Sequence, residues 1–261
     1  MKRTYVKLLT VAGLTGCFLF TSCRSAQETT ARYEISKVEG NMITIDSTWD
    51  ANPDKKATTV LKPYKDKVDA MMYEVIGTSE MKMDKGTPES LLSNLVASVL
   101  QEAAAQVLGK PADMGLVNMG GLRNILPKGD ITVGAVFEIL PFENSLCVLT
   151  MKGTDMKRLL KAIASLHGEG VSGIRLEINK KGELLNATIG GKPVVDDQLY
   201  TVATIDYLAD GNGRMDAFLQ AEKRECPEDA TLRGLFLDYV RKQTAEGKII
   251  TSKLDGRITV K

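Results

Sequence analysis

The sequence predicts a single domain of the α/β class, α+β type, in which helices flank one mixed sheet. Helix-spaced and strand-spaced apolar patterns interleave along the chain without a strict β-α-β repeat, which disfavours a doubly wound parallel sheet. The chain has 261 residues, of which 43% are hydrophobic, and this is enough to bury one ordinary core. We see no internal repeat that would indicate a solenoid.

In the first part of the chain, apolar spacing and turn residues define the elements. β-prone runs on either side of Gly40-Asn41 predict an opening hairpin over residues 32–46. A loop over 49–56, a helix over 58–72 and extended chain over 73–83 follow.

A long amphipathic helix is the strongest element prediction. Thr87 is placed as its N-cap, Pro88 at its first helical position and Gly109 at its end. One face of this helix carries only apolar side chains, namely Leu91, Leu95, Val99, Ala103 and Val107. This pattern is typical of an amphipathic helix.

The remaining elements follow from the same rules. Thr132 is expected to cap a short helix that Pro141 ends. The other predicted elements are a strand over 114–117, a strand over 145–151, a turn at 152–153, a helix over 155–164, a meander of strands over 173–179, 184–189 and 199–205, a helix over 232–244 and a closing strand over 257–260.

The N-terminus has the pattern of an export signal. A basic start is followed by an apolar run from Leu8 to Phe20 and then by Thr21-Ser22-Cys23. This order predicts a bacterial lipoprotein with a signal peptide over 1–23, a lipid on Cys23, a polar tether over 24–30 and the domain over 31–261. Cys17 is a competing lipidation site, and an ordinary cleaved signal with an incidental cysteine is the alternative. The predicted location is the periplasm or the outer membrane, with a lipid anchor.

Charge and residue counts exclude several function classes. Lys and Arg number 34 against 33 Asp and Glu, without a long run of like charge, so no nucleic-acid partner is expected. The single histidine, His167, lies between glycines in a predicted loop, and a histidine-rich metal site cannot be built. Cys147 is predicted to be a small buried side chain, and pairing with Cys226 is left open. We expect no catalytic residue, metal or cofactor in this chain.

Three segments together indicate a nucleotide-binding cleft. Asn118-Met-Gly-Gly-Leu-Arg123 places an amide and a guanidinium around Gly120 and Gly121, which are expected to allow positive φ and close approach of a ligand. Phe142 follows a helix that is stopped by proline, and Tyr207 and Asn212 follow a strand. Two flat rings can sandwich a base, and short polar side chains can recognise its edge.

The same segments resemble the C-terminal domain of the 5′-nucleotidase family from about Leu61 to the C-terminus. The resemblance rests on the residues 89–96, Asn118 to Arg123, Pro141-Phe142 and Asp206 to Gly213. It implies that Asn118 and Arg123 contact the nucleoside, that Phe142 and Tyr207 stack on its base, and that Asn212 stands near the usual aspartate. In that family a separate N-terminal metallophosphoesterase domain holds two divalent metals and performs the hydrolysis.

Departures from the family pattern lead to two hypotheses. The catalytic domain is missing, Ser93 and Ser98 replace a glycine and an aspartate of the helix motif, and the last loop is one glycine shorter. The substrate-contacting arginine that the family often has just before this glutamate has no counterpart here, since Gly86 to Pro88 fill that stretch. The first hypothesis is a nucleotide-recognition subunit of a split 5′-nucleotidase, which works with a separately encoded metallophosphoesterase and is inactive alone. The second is a non-catalytic, lipid-anchored module that binds a nucleoside or another small ligand.

Overall fold

The computed structural model describes residues 34–261, so the predicted signal peptide, the tether, Cys17 and Cys23 lie outside the described residues. The chain divides into two compact units, residues 1–53 and 54–261. In the described part of the first unit, a short 3₁₀ helix spans Ser47–Ala51, and the Asp46 side chain caps it by accepting from the Thr48 N–H.

The opening hairpin is a wrong prediction for the described residues of that unit. Residues 34–46 form no strand, and their apolar side chains are exposed: Ile35, Val38, Met42, Ile43 and Ile45. An alternating pattern specifies a strand only where one face is buried, and here neither face is. The loop predicted over 49–56 likewise contains helical residues at both ends.

The helices of the second unit agree with most of the predicted ones. They are α1 Lys55–Met72, α2 Leu91–Ala103, α3 Ala105–Leu108, α4 Val133–Ile139, α5 Gly153–Ser165, α6 Asp206–Ala209 and α7 Leu232–Ala245, with 3₁₀ turns at Met119–Gly121, Asn212–Arg214 and Asp216–Gln220. Thr132 caps α4 as predicted, because its side chain accepts from the Ala135 N–H. The turn predicted at 152–153 is wrong, since α5 begins directly at Gly153.

The strands distribute over three sheets. They are β1 Val75–Ser79, β2 Met114–Val117, β3 Gly129–Thr132, β4 Leu146–Lys152, β5 Gly170–Ser172, β6 Ile174–Ile178, β7 Leu184–Ile189, β8 Lys192–Pro193, β9 Leu199–Ile205, β10 Lys223–Glu225 and β11 Ile258–Val260. The central sheet has the order β10-β4-β9-β2-β5, a second sheet has the order β11-β6-β7-β8, and β1 pairs with β3. Because β2 runs parallel to β9 and β11 parallel to β6, the two larger sheets are mixed. The predicted α+β class with flanking helices is confirmed.

The predicted meander does not form as one sheet. β6 and β7 pair as a hairpin, but β9 leaves them and lies between β4 and β2 in the central sheet. Five of the seven residues of β9 are buried, whereas β7 buries only Ile189. A strand that is buried on both faces needs elements packed on both faces of its sheet, and in the central sheet β9 contacts the helices α2 and α5.

Helix α2 forms the centre of the core, although it begins later than predicted. Ser90, not Thr87, is the N-cap and accepts from the Ser93 N–H, and Pro88 lies before the helix. The helix also ends earlier than predicted, at Ala103, and the separate short helix α3 continues to Gly109, which lies in the left-handed region at φ 69°. A Cβ on Gly115 of β2 would lie 2.3 Å from the Ala97 carbonyl oxygen of α2. Glycine therefore sets how closely this helix packs on the sheet.

A disulfide joins β4 to the chain after β10. It links Cys147, which is buried as predicted, to Cys226, which is exposed. The Arg224 guanidinium lies beside both sulfur atoms, with Nε 3.3 Å from Cys226 Sγ, and pairs with Asp210 at 2.7 Å. The edge of the central sheet is thus connected to the loop that follows Tyr207.

Candidate functional site

A cleft of about 340 Å³ brings together residues from all three predicted segments. Its walls are formed by Asn118, Gly120, Gly121, Phe142, Asn144 and Tyr207. Two of the predicted site residues, Arg123 and Asn212, do not line it. Arg123 lies at its side, over the ring of Phe142, while Asn212 lies exposed in the loop after Gly211. A cavity of this volume is within the range of small-molecule sites.

The mixed sheet explains why distant segments meet. β2 and β9 are parallel neighbours, so Asn118 and the residues after Ile205 follow the C-terminal ends of these strands on the same side of the sheet. β4 is antiparallel to β9, and its Leu146 pairs with Ile205. Asn144, just before β4, therefore lies beside Asp206. Ligands bind preferentially at such strand ends, where several loops meet beside a rigid sheet.

Hydrogen bonds from other parts of the chain to main-chain atoms hold the glycine turn at 119–121 in place. Lys85 Nζ donates to the carbonyl of Met119 at 3.4 Å and also to that of Leu122. The Met119 N–H donates to the Glu169 carboxylate, and the Arg123 N–H donates to the Ile139 carbonyl at 2.9 Å. These contacts leave the Asn118 side chain free for a ligand.

The reason for the two glycines differs from the expected one. Neither Gly120 nor Gly121 has a positive φ. A Cβ on Gly121 would lie 3.0 Å from Asn118 Oδ1, and one on Gly120 would lie 3.3 Å from Asn118 Nδ2. A side chain at either position would crowd the Asn118 amide, so the two glycines leave room for it.

Asn118 carries an unused acceptor. Its Oδ1 is buried and has no hydrogen-bond partner within residues 34–261. An unpaired buried acceptor costs free energy on the order of 1 to 3 kcal/mol, which a ligand N–H or O–H would recover. The arrangement favours a ligand that donates a hydrogen bond at this point.

The two predicted rings lie on the cleft surface. Phe142 is 48% exposed and Tyr207 is 44% exposed, so each presents part of its ring to the cleft. The Arg123 guanidinium carbon is 5.8 Å from the centre of the Phe142 ring, and Arg123 Nη1 donates to the Gly120 carbonyl at 3.3 Å. Arg123 thus approaches the cleft from the side of this ring.

Sequence reasoning missed Asn144 as a wall of the cleft. Its Nδ2 donates to Asp206 Oδ1 at 2.9 Å, and the same oxygen accepts from the Tyr207 N–H at 2.7 Å. Asn144 therefore fixes the start of α6, which presents Tyr207. Its position two residues after Phe142 was the available signal.

Two further charged residues position segments of the cleft without lining it, and the sequence analysis did not predict them. Arg233 of α7 is buried, donates to the carbonyls of Leu140 and Phe142 at 3.0 and 3.5 Å, and pairs with Glu143. It positions the segment that presents the Phe142 ring. Glu169 holds the glycine turn, and burial raises the pKa of its carboxyl above the ordinary value, although the Met119 N–H acts in the opposite direction.

The helix-start motif at 89–96 is structural in this chain. Glu89 Oε1 accepts from Asn94 Nδ2 at 2.6 Å and from the Asp255 N–H at 2.9 Å, while Oε2 accepts from the Arg257 N–H at 3.0 Å. Asn94 Nδ2 also donates to the Lys253 carbonyl at 2.9 Å. The motif fastens the C-terminal segment to α2 and lines no part of the cleft.

Candidate metal ligands are scattered. Within the described residues, no group of three or more His, Cys, Asp and Glu side chains could hold a metal ion. His167 is exposed and follows α5 in the left-handed region at φ 61°, in agreement with its predicted loop position.

Comparisons with known proteins agree with the geometry. The family model "5′-nucleotidase, C-terminal domain" matches residues 75–220. The endonuclease YhcR of Bacillus subtilis is 28% identical over 188 residues, and the trifunctional nucleotide phosphoesterase YfkN of the same organism is 27% identical over 238 residues. These alignments cover 69% and 84% of this chain but only 15% and 16% of the two relatives.

A solved structure gives the same result. The 5′-nucleotidase precursor of Thermus thermophilus superposes with a TM-score of 0.67 and 27% identity, over 81% of this chain and 44% of that one. The range of the family model runs from β1 past Asn212, so it contains the cleft residues and four of the five strands of the central sheet, all except β10. The chain belongs to the 5′-nucleotidase C-terminal domain family.

Proposed function

We propose that this chain is the nucleotide-recognition subunit of a split 5′-nucleotidase, in which a separately encoded metallophosphoesterase with two divalent metals cleaves the phosphate ester. The observation that carries the proposal is the single cleft shared by Asn118, Phe142 and Tyr207. The two rings supply stacking surfaces for a base, and the buried, unpaired Asn118 Oδ1 supplies an acceptor. Membership of the family supports a nucleoside or nucleotide as the ligand.

The share of each relative that aligns with this chain supports the proposal that recognition and hydrolysis lie on separate chains. This chain corresponds to a minor part of each long relative, and its described residues lack a cluster that could hold two metals. Hydrolysis would then require the partner, with the metals activating water and stabilising the leaving oxygen. Arg123, Asn118 and the rings would orient the substrate and exclude part of its water shell.

Export and lipid attachment at Cys23 are part of the same proposal. The N-terminal sequence supports them, as does a disulfide, which persists in oxidising compartments. A relative named as a cell wall protein of Listeria monocytogenes is 27% identical over 81% of this chain. Mass spectrometry of the N-terminal peptide from the native membrane fraction distinguishes a lipid on Cys23 from one on Cys17.

Calorimetric titration of the purified chain tests recognition directly. Adenosine, AMP and a UDP-sugar are the ligands, and inorganic phosphate is the reference without a base. We expect saturable binding of at least one nucleoside-containing ligand. An absence of binding by all three, with correctly folded protein, would refute nucleotide recognition.

A second experiment tests the partner. Metallophosphoesterases that are encoded beside this chain and lack such a C-terminal domain are mixed with it, and AMP hydrolysis is measured. We expect the pair to hydrolyse AMP faster than either protein alone, and Arg123→Ala to abolish the gain. If the ligand binds but no partner gains activity, the second hypothesis, a non-catalytic nucleoside-binding module, replaces the split enzyme.

A further inference from the structure

A second cavity, of about 400 Å³, shares no residue with the nucleotide cleft. It lies where α2, the end of β5, the start of β6 and the C-terminal segment meet. Its polar side chains are those of Ser98, Gln101, Ser172, Arg175, Asp255 and Arg257. Ser172 is aligned with Gly115 on β2, so this cavity is near the beginning of β2, whereas the cleft follows its end.

The charged groups of the cavity leave an excess of positive charge. Two guanidinium groups, those of Arg175 and Arg257, share one carboxylate, that of Asp255. Arg257 Nε donates to Asp255 Oδ1 at 3.0 Å, and Arg175 Nη2 lies 3.5 Å from Asp255 Oδ2. The Glu89 carboxylate lies outside the lining, where its oxygens accept from the main-chain N–H groups of Asp255 and Arg257, so within the lining itself two guanidinium groups face one carboxylate.

Arg257 is fixed by the fold. Its side chain is only 12% exposed, and its Nη1 donates to the carbonyls of Asn94 and Val171 at 2.9 and 2.7 Å. Arg175 is half exposed and reaches the same carboxylate from β6. A buried, rigid guanidinium with a second, more exposed one at the entrance can enclose an anion, because both offer planar sets of donors.

Ser98 lies close to the Arg257 guanidinium, because both donate to one carbonyl oxygen. Its Oγ donates to the Asn94 carbonyl at 2.8 Å, and Arg257 Nη1 donates to the same oxygen. The serine side chain is therefore next to the guanidinium. A carboxylate on residue 98 would pair with Arg257, and the serine of this chain leaves that space to a ligand.

We propose that this cavity binds a small oxyanion, the phosphate or carboxylate group of a soluble molecule, between Arg175 and Arg257 and beside Ser98. The site is independent of the nucleotide cleft. The hydroxyls of Ser98 and Ser172 and the amide N–H groups of Gln101 already donate to main-chain carbonyls, so these side chains would accept hydrogen bonds from polar substituents of the same molecule.

Thermal unfolding of the full-length chain tests the proposal. Sodium phosphate and sodium citrate are titrated against sodium chloride of equal ionic strength at pH 7. We expect a saturable rise in Tm of about 3 °C or more once the anion exceeds its Kd about tenfold. A response to phosphate assigns a phosphoryl group, and a response to citrate assigns a carboxylate. If neither salt differs from chloride, the proposal is wrong.

Variants locate the binding. Arg175→Ala and Ser98→Asp should lose the response, the first by removing a donor and the second by occupying the place of the anion. Arg241→Ala, which removes an exposed arginine that pairs with Glu74, should keep it. Arg123→Ala should also keep it. Loss of the response in Arg123→Ala would assign the anion to the nucleotide cleft, and an unchanged response in both Arg175→Ala and Ser98→Asp would overturn the proposal.

Discussion

At the scale of single residues, Phe142 gives the sharpest test of the cleft. Its ring is half exposed at the cleft wall, so Phe142→Ala removes a stacking surface without creating a core cavity. Stacking contributes about 1 to 3 kcal/mol per base. We therefore expect the Kd for the nucleoside to rise about 5- to 150-fold in calorimetric titrations.

Tyr64→Ala is the matched control for this variant. Tyr64 is a 70% exposed aromatic residue on α1 that does not line the cleft. Its removal should leave the Kd unchanged. An equal rise in Kd for the two variants would contradict stacking of the ligand on the Phe142 ring.

Glu169 makes a pH-dependent contribution to stability. Burial raises the pKa of its carboxyl above the ordinary value of 4.5, so the folded protein binds the proton more tightly than the unfolded chain. The stabilisation from this group is complete below pH 4.5 and is lost as the pH rises through the raised pKa. We expect Glu169→Gln to show a smaller fall in the free energy of unfolding between about pH 4 and about pH 7.

Urea titrations at several pH values measure this difference. Glutamine keeps a side-chain oxygen that can accept from the Met119 N–H, so the glycine turn should be retained. Parallel pH profiles for the wild type and the variant would contradict a buried carboxyl at this position.

Residues with a local pattern were predictable, and residues that act through the fold were not. Asn118, the two glycines, Phe142 and Tyr207 lie in short motifs and line the cleft as expected. Arg233 and Glu169 approach from 91 and 50 residues away and contact mainly main-chain atoms. Nothing in their neighbouring sequence reports those contacts, because the sheet and α7 create them.

At the scale of elements, α1 and α2 differ in what their apolar faces contact. α2 buries Leu92 completely in the core, whereas α1 buries no side chain, and its Leu61 is 60% exposed. We expect Leu92→Ala to lower the free energy of unfolding by about 2 to 5 kcal/mol, through lost burial and a residual cavity.

Leu61→Ala is the same chemical change on the exposed helix. It should alter the free energy of unfolding by no more than about 0.5 kcal/mol in the same urea titrations. A cost for Leu61→Ala comparable to that for Leu92→Ala would show that α1 packs its apolar face in solution.

The elements also show where periodicity alone is insufficient. Helical spacing gave both α1 and α2, because a 3.6-residue pattern appears in a helix whether or not its face is covered. Strand patterns were less informative, since pairing depends on distant partners. The residues 34–46 had no partner strand, and β9 paired with β4 and β2 in preference to its sequence neighbours.

At the scale of the whole molecule, the disulfide closes a long loop. Cys147 and Cys226 are separated by 79 residues, so the bond restricts the unfolded chain strongly. We expect the double variant Cys147→Ala/Cys226→Ala to lose about 2 to 4 kcal/mol of unfolding free energy.

Reduction provides the control for this prediction. Dithiothreitol should lower the Tm of the wild type and leave that of the double variant unchanged. A Tm of the wild type that does not respond to complete reduction, verified by thiol counting, would contradict a stabilising role for the bond.

The position of the disulfide next to an edge strand also bears on aggregation. β10 is a three-residue edge strand that covers β4, a seven-residue strand rich in apolar side chains. Short edge strands protect a sheet against pairing with other molecules, and the covalent bond keeps this one in place. Without the bond, detachment of β10 would uncover a long apolar edge suited to intermolecular β-pairing, so we expect loss of this cysteine pair to lower solubility as well as stability.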